Sequence, residues 1–291
     1  MPHLAQINVA TLRQPLDHPA NADFAAGLAT VNAAADATPG FVWRLQSEEG
    51  DATSIQVSPD PLTIVNFSVW EGVEPFRAFA FSGIHRDFLR RRVEWFHPGS
   101  KAATWWITPG TIPTVQEGLA RIDFITRFGT TPYAFMPAQQ QPVLLMRRTT
   151  LADPAVQAMV PLLDHELIGS TPPGGSNFLT VDDTTAFFVA ELDGMARAMG
   201  AYRPIDGIPG AAEVKRMYAD PEARGQKLGA AVLASIETAA RADGFTELRL
   251  ETGEHLDGAM RLYRGFGFEQ CENWGEYAGV AHSYCMRKPL D

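Results

Sequence analysis

The hexapeptide Arg224-Gly225-Gln226-Lys227-Leu228-Gly229 stands between an alternating run, AAEVKRMYA, and a helix-forming run, AAVLASIETAARAD. Asp220-Pro221 closes the first run, since proline has no ladder donor and cannot continue a central strand. A strand thus stops at a turn and hands over to a helix. The first-turn amides of such a helix lack intrahelical acceptors and carry the positive end of its dipole. Glycines at 225 and 229 let backbone approach a ligand closely. The chemistry on offer is the holding of a phosphate or pyrophosphate; the alternative is a loop whose glycines merely turn the chain. Residue order excludes a P-loop, and two glycines fall short of a dinucleotide fingerprint.

The hexapeptide resembles the Arg/Gln-x-x-Gly-x-Gly/Ala element of the Gcn5-related N-acetyltransferases, with Lys227 in place of the middle glycine. About thirty residues on, Ala259-x-x-Leu262-Tyr263-x-x-x-Gly267-Phe268 is similar to that family's second element. FFVAELDG, AEVKRMY, LRLETG and CMRKPL also look like the family, so the resemblance covers residues 143 to 291. It implies a mixed, splayed central sheet and acetyl-CoA as co-substrate, with no metal. It further implies that the amides of Arg224, Gly225, Gln226, Lys227, Leu228, Gly229 and Ala230 hold the pyrophosphate. The backbone of Met217, Tyr218 and Ala219 would pair with the pantetheine arm and the acetyl carbonyl. Lys227 would either add charge to the phosphate site or crowd it.

Tyr263 matches the tyrosine that protonates the departing thiolate, its alternative being a packed aromatic beside Met260, Leu262 and Phe266. Glu213 resembles the carboxylate that deprotonates the amine; the plain reading is a strand carboxylate paired with Lys215 or Arg216. Glu251, ending ELRLET, would bind the cationic amine or be solvated. Leu256 stands where family members carry an asparagine, with His255 as a substitute or an exposed loop histidine. The period of two puts Glu213, Lys215 and Met217 on one strand face and Val214, Arg216 and Tyr218 on the other. Direct attack in a ternary complex needs no acyl-enzyme, so Cys271 and Cys285 are assigned no nucleophilic role.

These groups need a scaffold, and 291 residues are enough for two domains. No apolar run approaches the ~20 residues of a membrane span. The N-terminus lacks a basic segment followed by an apolar one, which with two cysteines predicts a cytoplasmic protein with reduced thiols. A net charge of −10 argues against a nucleic-acid binder. MPAQQQP reads as a linker, giving domains at 1–137 and 143–291 around residues 138–142. The second domain reads as VLLMRRT, helix DPAVQAMVPLLDHEL, strands FFVAEL and MARAMGAYRP, the quoted stretch, ELRLET, helix DGAMRLYRGF and a closing strand HSYCMRK.

The first domain offers strands LAQINVA, GFVWRLQ, TIVNFSVW, ATWWITP and TPYAF, with helical runs at 22–37, 74–96 and 114–129. GFVWRLQ, NFSVWE, HRDFLRRRVEWF and WWITPGTIPTVQEGLARI resemble the domain of unknown function 3291 family, over residues 3 to 135. That family is similar to dimeric α+β barrels, which implies a ferredoxin-like fold and a homodimer through this domain. Trp43, Trp70, Trp95, Trp105 and Trp106 either line a ligand cavity or fill the core. His85 and His97 show no metal-ligand spacing, and Arg90-Arg91-Arg92 reads as a solvated or salt-bridged surface.

Two functions follow. One is an N-acetyltransferase that moves an acetyl group to a primary amine of a small molecule. In the other the N-terminal barrel is a monooxygenase or small-molecule binder, and the C-terminal half is a non-catalytic acetyl-CoA sensor.

Overall fold

The computed structural model describes residues 1–139, 141–168, 182, 184–280 and 283–290. The chain divides into two compact units, Met1–Val143 and Leu144–Asp291.

The first unit runs β1 (His3–Thr11), α1 (Ala22–Asp36), β2 (Phe41–Arg44), β3 (Thr63–Trp70), α2 (Val73–Ala80), α3 (Gly83–Trp95), β4 (Lys101–Ile107) and α4 (Val115–Phe128). Its sheet is antiparallel in the order β2-β3-β1-β4, the ferredoxin-like arrangement. Strand alternation gives each face its own core. Ala5, Ile7, Phe67, Val69 and Trp105 pack with Ile122 of α4 on one side. On the other, Leu4 and Trp70 pack with Ala35 of α1 and Phe76 and Ala80 of α2. Trp70, Trp95 and Trp105 are fully buried core residues, while Trp43 and Trp106 are half-buried.

The helical run expected over 74–96 is two helices. It breaks at Phe81 and Ser82, and Gly83 (φ +48°) starts the second in a left-handed conformation. TPYAF forms only isolated bridges, Thr131 with Ala134 and Phe135 with Thr104. His97 is exposed, whereas His85 lies on Phe79 at 4.6 Å with Nδ1 bonded to the Ala80 carbonyl at 2.8 Å. Burial lowers the pKa of His85. Arg91 is tied to Asp23 and Glu94 at 2.8 and 2.9 Å, as a salt-bridged surface requires.

The second unit runs β5 (Leu144–Thr149), α5 (Pro154–Ile168), β6 (Ala186–Leu192), β7 (Met195–Pro204), β8 (Ala211–Ala219), α6 (Leu228–Ala242), β9 (Glu247–Thr252), α7 (Asp257–Gly265), β10 (Glu269–Gln270) and β11 (Tyr284–Pro289). Of the expected HSYCMRK strand, His282 lies outside the described residues. The sheet order is β10-β11-β9-β8-β7-β6-β5, antiparallel except for the parallel pair β8-β9. Helix α5 covers one face, with Val156, Met159 and Leu163 packed on Phe187, Val189, Met199 and Ala201. Its start is fixed by Asp153, which accepts from the Ala155 amide at 2.8 Å and pairs with Arg147, and by Pro154 at the first helical position. Helix α6 lies across the other face and is buried over most of its circumference, as an apolar helix inside a layered domain must be. No described helix is long and apolar enough to cross a membrane.

Candidate active site

Between β8 and α6 the chain makes a short 3-10 turn, Pro221–Ala223, capped by Asp220, whose carboxylate accepts from the Glu222 amide at 2.9 Å. Gly225 (φ +88°) and Lys227 (φ +59°) then adopt left-handed conformations, and α6 begins at Leu228. The left-handed turn at 227 explains why a glycine suits that position. A lysine there costs backbone strain of about 1 kcal/mol, and its side chain is exposed beside exposed Arg224. Gly229 is different: its backbone is not left-handed, and a Cβ built there would meet only Leu262 Cδ2 at 3.7 Å. Nothing inside the protein demands a glycine at 229, so the space over it is open to something outside. The first-turn amides of Leu228, Gly229 and Ala230 converge on the same end of the helix.

Pairing between β8 and β9 extends over four residue pairs, from Ala211 with Glu247 to Val214 with Leu250. From Lys215 onward β8 shares no register with β9 and the sheet opens. Met217, Tyr218 and Ala219 lie in this opened stretch, held on their other side by β7, where Tyr218 pairs with Met199 and Ala219 with Ala198.

The same stretch carries a β-bulge, which overturns the simple alternation expected for β8. The register slips between Met199 and Ala201, and Arg216 takes φ +56°. Arg216 therefore turns to α5, where Nη1 bonds Asp164 Oδ1 at 2.7 Å. Met217 faces α6, its sulfur filling the space over Gly200 with Val232 and Ile236. Tyr218 joins the α5-side core. Glu213 and Lys215 thus share a face with Tyr218 rather than with Met217.

Glu213 is buried, with 3% of its side chain exposed. It accepts from Arg203 Nε at 3.1 Å and from the Tyr277 hydroxyl at 2.5 Å, and Lys215 Nζ lies 3.3 Å away. Of its two anticipated partners Lys215 is present and Arg216 is not. Glu276 completes the group at 3.4 Å from both Arg203 and Lys215. Burial of the phenol and the adjoining Glu213 charge raise the pKa of Tyr277.

Glu251 lies beyond the last β8-β9 pair, on the face of Arg249 and Glu213. It stands opposite Cys285, which packs with Trp274 and Tyr277. Desolvation raises its pKa; the charges of Glu213 and Glu276 act the same way, against a hydrogen bond with Ser283 and the charge of Lys215. Tyr263 on α7 is buried against Phe268, with ring centroids 5.9 Å apart. Its pKa is raised by burial and by the charge of Glu251, so the phenol stays protonated at neutral pH. Burial pushes the Cys285 thiol up to about 12 and raises Cys271, which leaves both as poor nucleophiles. The ring of His255 packs over Gly253, where a Cβ would meet it at 2.4 Å.

Sequence reading passed over Tyr277, Glu276 and Arg203. Tyr277 and Glu276 sit in a 3-10 turn, Gly275–Tyr277, that carries no periodic pattern. The available signal was Arg203 on β7, a cation directly after the core residues Ala201 and Tyr202 that needed an anion beside it.

The family model described as domain of unknown function (DUF3291) matches residues 3–148, and that of the acetyltransferase (GNAT) family matches residues 157–268. The IAA acetyltransferase of Azospirillum brasilense is 39% identical over 153 residues, 51% of this chain and 98% of that protein. The uncharacterized N-acetyltransferase YsnE of Bacillus subtilis is 29% identical over 133 residues, 43% of this chain and 86% of that one. Among solved structures, the PaiA N-acetyltransferase of Thermoplasma acidophilum in complex with coenzyme A is 23% identical, covering 36% of this chain and 61% of that chain with a TM-score of 0.31. The chain belongs to the GNAT family through its C-terminal half, an acetyl-CoA-dependent acyltransferase domain, and carries a DUF3291 domain ahead of it.

Proposed function

We propose that the protein acetylates a primary amine of a small molecule, by direct attack of the amine on acetyl-CoA in a ternary complex. The observation that carries this reading is the opening of β8 from β9 beside the α6 N-terminus, with Glu251 just past the last β8-β9 pair and Leu262, the neighbour of Tyr263 on α7, over Gly229. The open space over Gly229 and the first-turn amides suit a pyrophosphate, and the exposed cations Arg224 and Lys227 add attraction. The bulged backbone of Met217 to Ala219 offers hydrogen bonds to an extended arm lying in the opening. Acetyl-CoA supplies an activated acyl group when bound. The chain's own work is to hold it, to take a proton from the amine and to give one to the leaving sulfur.

Tyr263 is assigned the second proton transfer, since a buried neutral phenol is a donor throughout the neutral range. For the first, the geometry favours Glu251 over Glu213. Glu213 is already engaged by Arg203, Lys215 and Tyr277, so an amine could reach its oxygens only by displacing one of these partners. Glu251 has a raised pKa and lies on β9 just past the last β8-β9 pair, which suits both attraction of an ammonium and acceptance of its proton. Glu213 then acts as the anchor that fixes Lys215 and Tyr277 along the acceptor side.

The test is release of free thiol from acetyl-CoA over a panel of polyamines, aminoglycosides and amino acids. Saturable transfer to one class supports the proposal. Tight acetyl-CoA binding with no transfer to any amine would instead favour the sensor reading. A homodimer through the N-terminal domain and a cytoplasmic location belong to the same proposal, checked by sedimentation and by cell fractionation.

A further inference from the structure

The chain has two cysteines, and the fold sets them opposite one another. Strands β10 and β11 pair antiparallel, Glu269 with Arg287 and Gln270 with Met286, so the next position in register sets Cys271 against Cys285. One ladder bond continues to that position, where the Cys271 amide donates to the Cys285 carbonyl at 3.0 Å. Residues opposed in this way put their side chains on the same face, with Cα atoms about 5.5 Å apart at a hydrogen-bonded pair. A disulfide spans Cα separations of about 4.4–6.8 Å, so no strand has to move to make one. Both side chains join one apolar cluster with Trp274 and Tyr277. The Cys285 sulfur is turned to this side: it accepts from the Trp274 amide, and it is near enough to Cys271 for charge on that thiol to raise its pKa. Both are free thiols.

The two thiols differ in access. Cys285 is closed off, with 1% exposed, whereas Cys271 is half-buried. A reagent from solvent therefore meets Cys271 first and Cys285 only through it. Burial raises the pKa of Cys271; Arg249 and Arg287 act against burial, and Glu247 and Glu272 act with it. Its thiolate is scarce at neutral pH, which slows the first step of an exchange without changing its end point.

We infer that Cys271 and Cys285 form a modification site, a dithiol that a small-molecule disulfide converts to an internal disulfide. The Cys271 thiolate attacks one sulfur of the reagent RSSR, forms a mixed disulfide and expels RS⁻. The Cys285 thiol then gives up its proton, and its sulfur attacks that of Cys271 and expels the second RS⁻. The two released thiolates take up the two protons. Two protein thiols are thus oxidised, and one RSSR is reduced to two RSH. The ring so closed runs from 271 to 285 and contains Glu276 and Tyr277, which hold Lys215 and Glu213. Oxidation therefore ties down the turn that completes the charged group on β8. The bridge does not depend on the acetyl-transfer reading, and its readout is thiol content rather than turnover.

The probe is oxidised glutathione, applied to the full chain in buffers of graded reduced-to-oxidised ratio. Both thiols should vanish together from the titration, and the intact mass should fall by two hydrogens. A peptide map should link Cys271 to Cys285 within one chain. Cys285→Ser has no second thiol to close the ring and should stop at a glutathione adduct on Cys271. If that variant is poorly folded, the map of the unaltered chain decides alone. Two thiols still titratable at equilibrium in excess oxidised glutathione, an unaltered chain that stops at the adduct, or links found only between chains would overturn the inference.

Discussion

The Tyr277 hydroxyl donates to Glu213 at 2.5 Å, across 64 residues of sequence, and Arg203 and Lys215 complete the charge balance around that carboxylate. A glutamate so held supports the fold as much as the site. Glu213→Gln leaves Lys215 and Arg203 with only the more exposed and more distant Glu276 as a shared anion, and weakening a buried pair in this way costs up to about 3 kcal/mol. Chemical denaturation is the measurement, and a loss below about 1 kcal/mol would contradict the anchoring role.

Glu251→Gln has the opposite character. It removes a desolvated charge with neighbouring carboxylates, so stability holds or rises slightly, while kcat/KM falls by about 10²- to 10⁴-fold. The sign with pH follows from the raised pKa. The wild-type base is competent when deprotonated, so activity falls as pH drops through a value above the ordinary glutamate range. Glu251→Gln should lose that acid limb; a limb that persists assigns it to another group.

Tyr263→Phe keeps the ring on Phe268 and removes the hydroxyl. Turnover should fall by about 10²-fold or more with acetyl-CoA affinity unchanged. Calorimetric titration beside steady-state kinetics separates the two, and unchanged turnover in a folded variant would remove Tyr263 from the chemistry.

Lys227→Gly relieves a left-handed lysine and also removes a cation from the loop. Stability without ligand should rise by up to about 0.5 kcal/mol, since the relief of about 1 kcal/mol is partly offset by unfolded-state entropy. Acetyl-CoA affinity should fall severalfold. Opposite movements of Tm and affinity identify the lysine as a charge retained at a conformational cost; movement of both in the same direction would not.

Asp153→Asn tests the α5 cap. The wild-type carboxylate is held well below the ordinary range, chiefly by Arg147, with help from Thr149 and the Ala155 amide. A group with a depressed folded pKa contributes stability above its unfolded pKa of about 3.9 and loses it as pH falls through the lower, folded value. Asparagine caps about as well as aspartate, so the variant loses mainly the Arg147 pair and should be destabilised by up to about 1 kcal/mol at pH 7, a difference that should shrink only below about pH 4.

The turn between β8 and α6, the short α7 and the ferredoxin-like domain were legible because each is local: a Pro- and Gly-bearing turn, a short motif, a run of alternating elements. TIVNFSVW and the stop of α1 near Pro39 fall where the pattern puts them. What escaped was set by contacts distant in sequence. A positive φ at Arg216 has no composition signal, yet it re-sorts the faces of β8. The break in the 74–96 helix needs Gly83 in a left-handed turn, and apolar periodicity runs through it unmarked. Glu213 stood out in the sequence as a charged residue on the strand before the loop, but two of its neighbours come from a turn after β10, and only the folded sheet brings them together.

Gly200 stands on β7 opposite the bulge, where a Cβ would lie 2.4 Å from the Met217 sulfur, 2.7 Å from Val232 and 3.1 Å from Ile236. A single methyl there would press at once on the bulged strand and on α6, the helix that follows the proposed phosphate loop. The width of the opening between β8 and β9 therefore depends on an atom that is missing on a neighbouring strand. A groove of different width could arise from a change at Gly200, with every residue that touches substrate left intact.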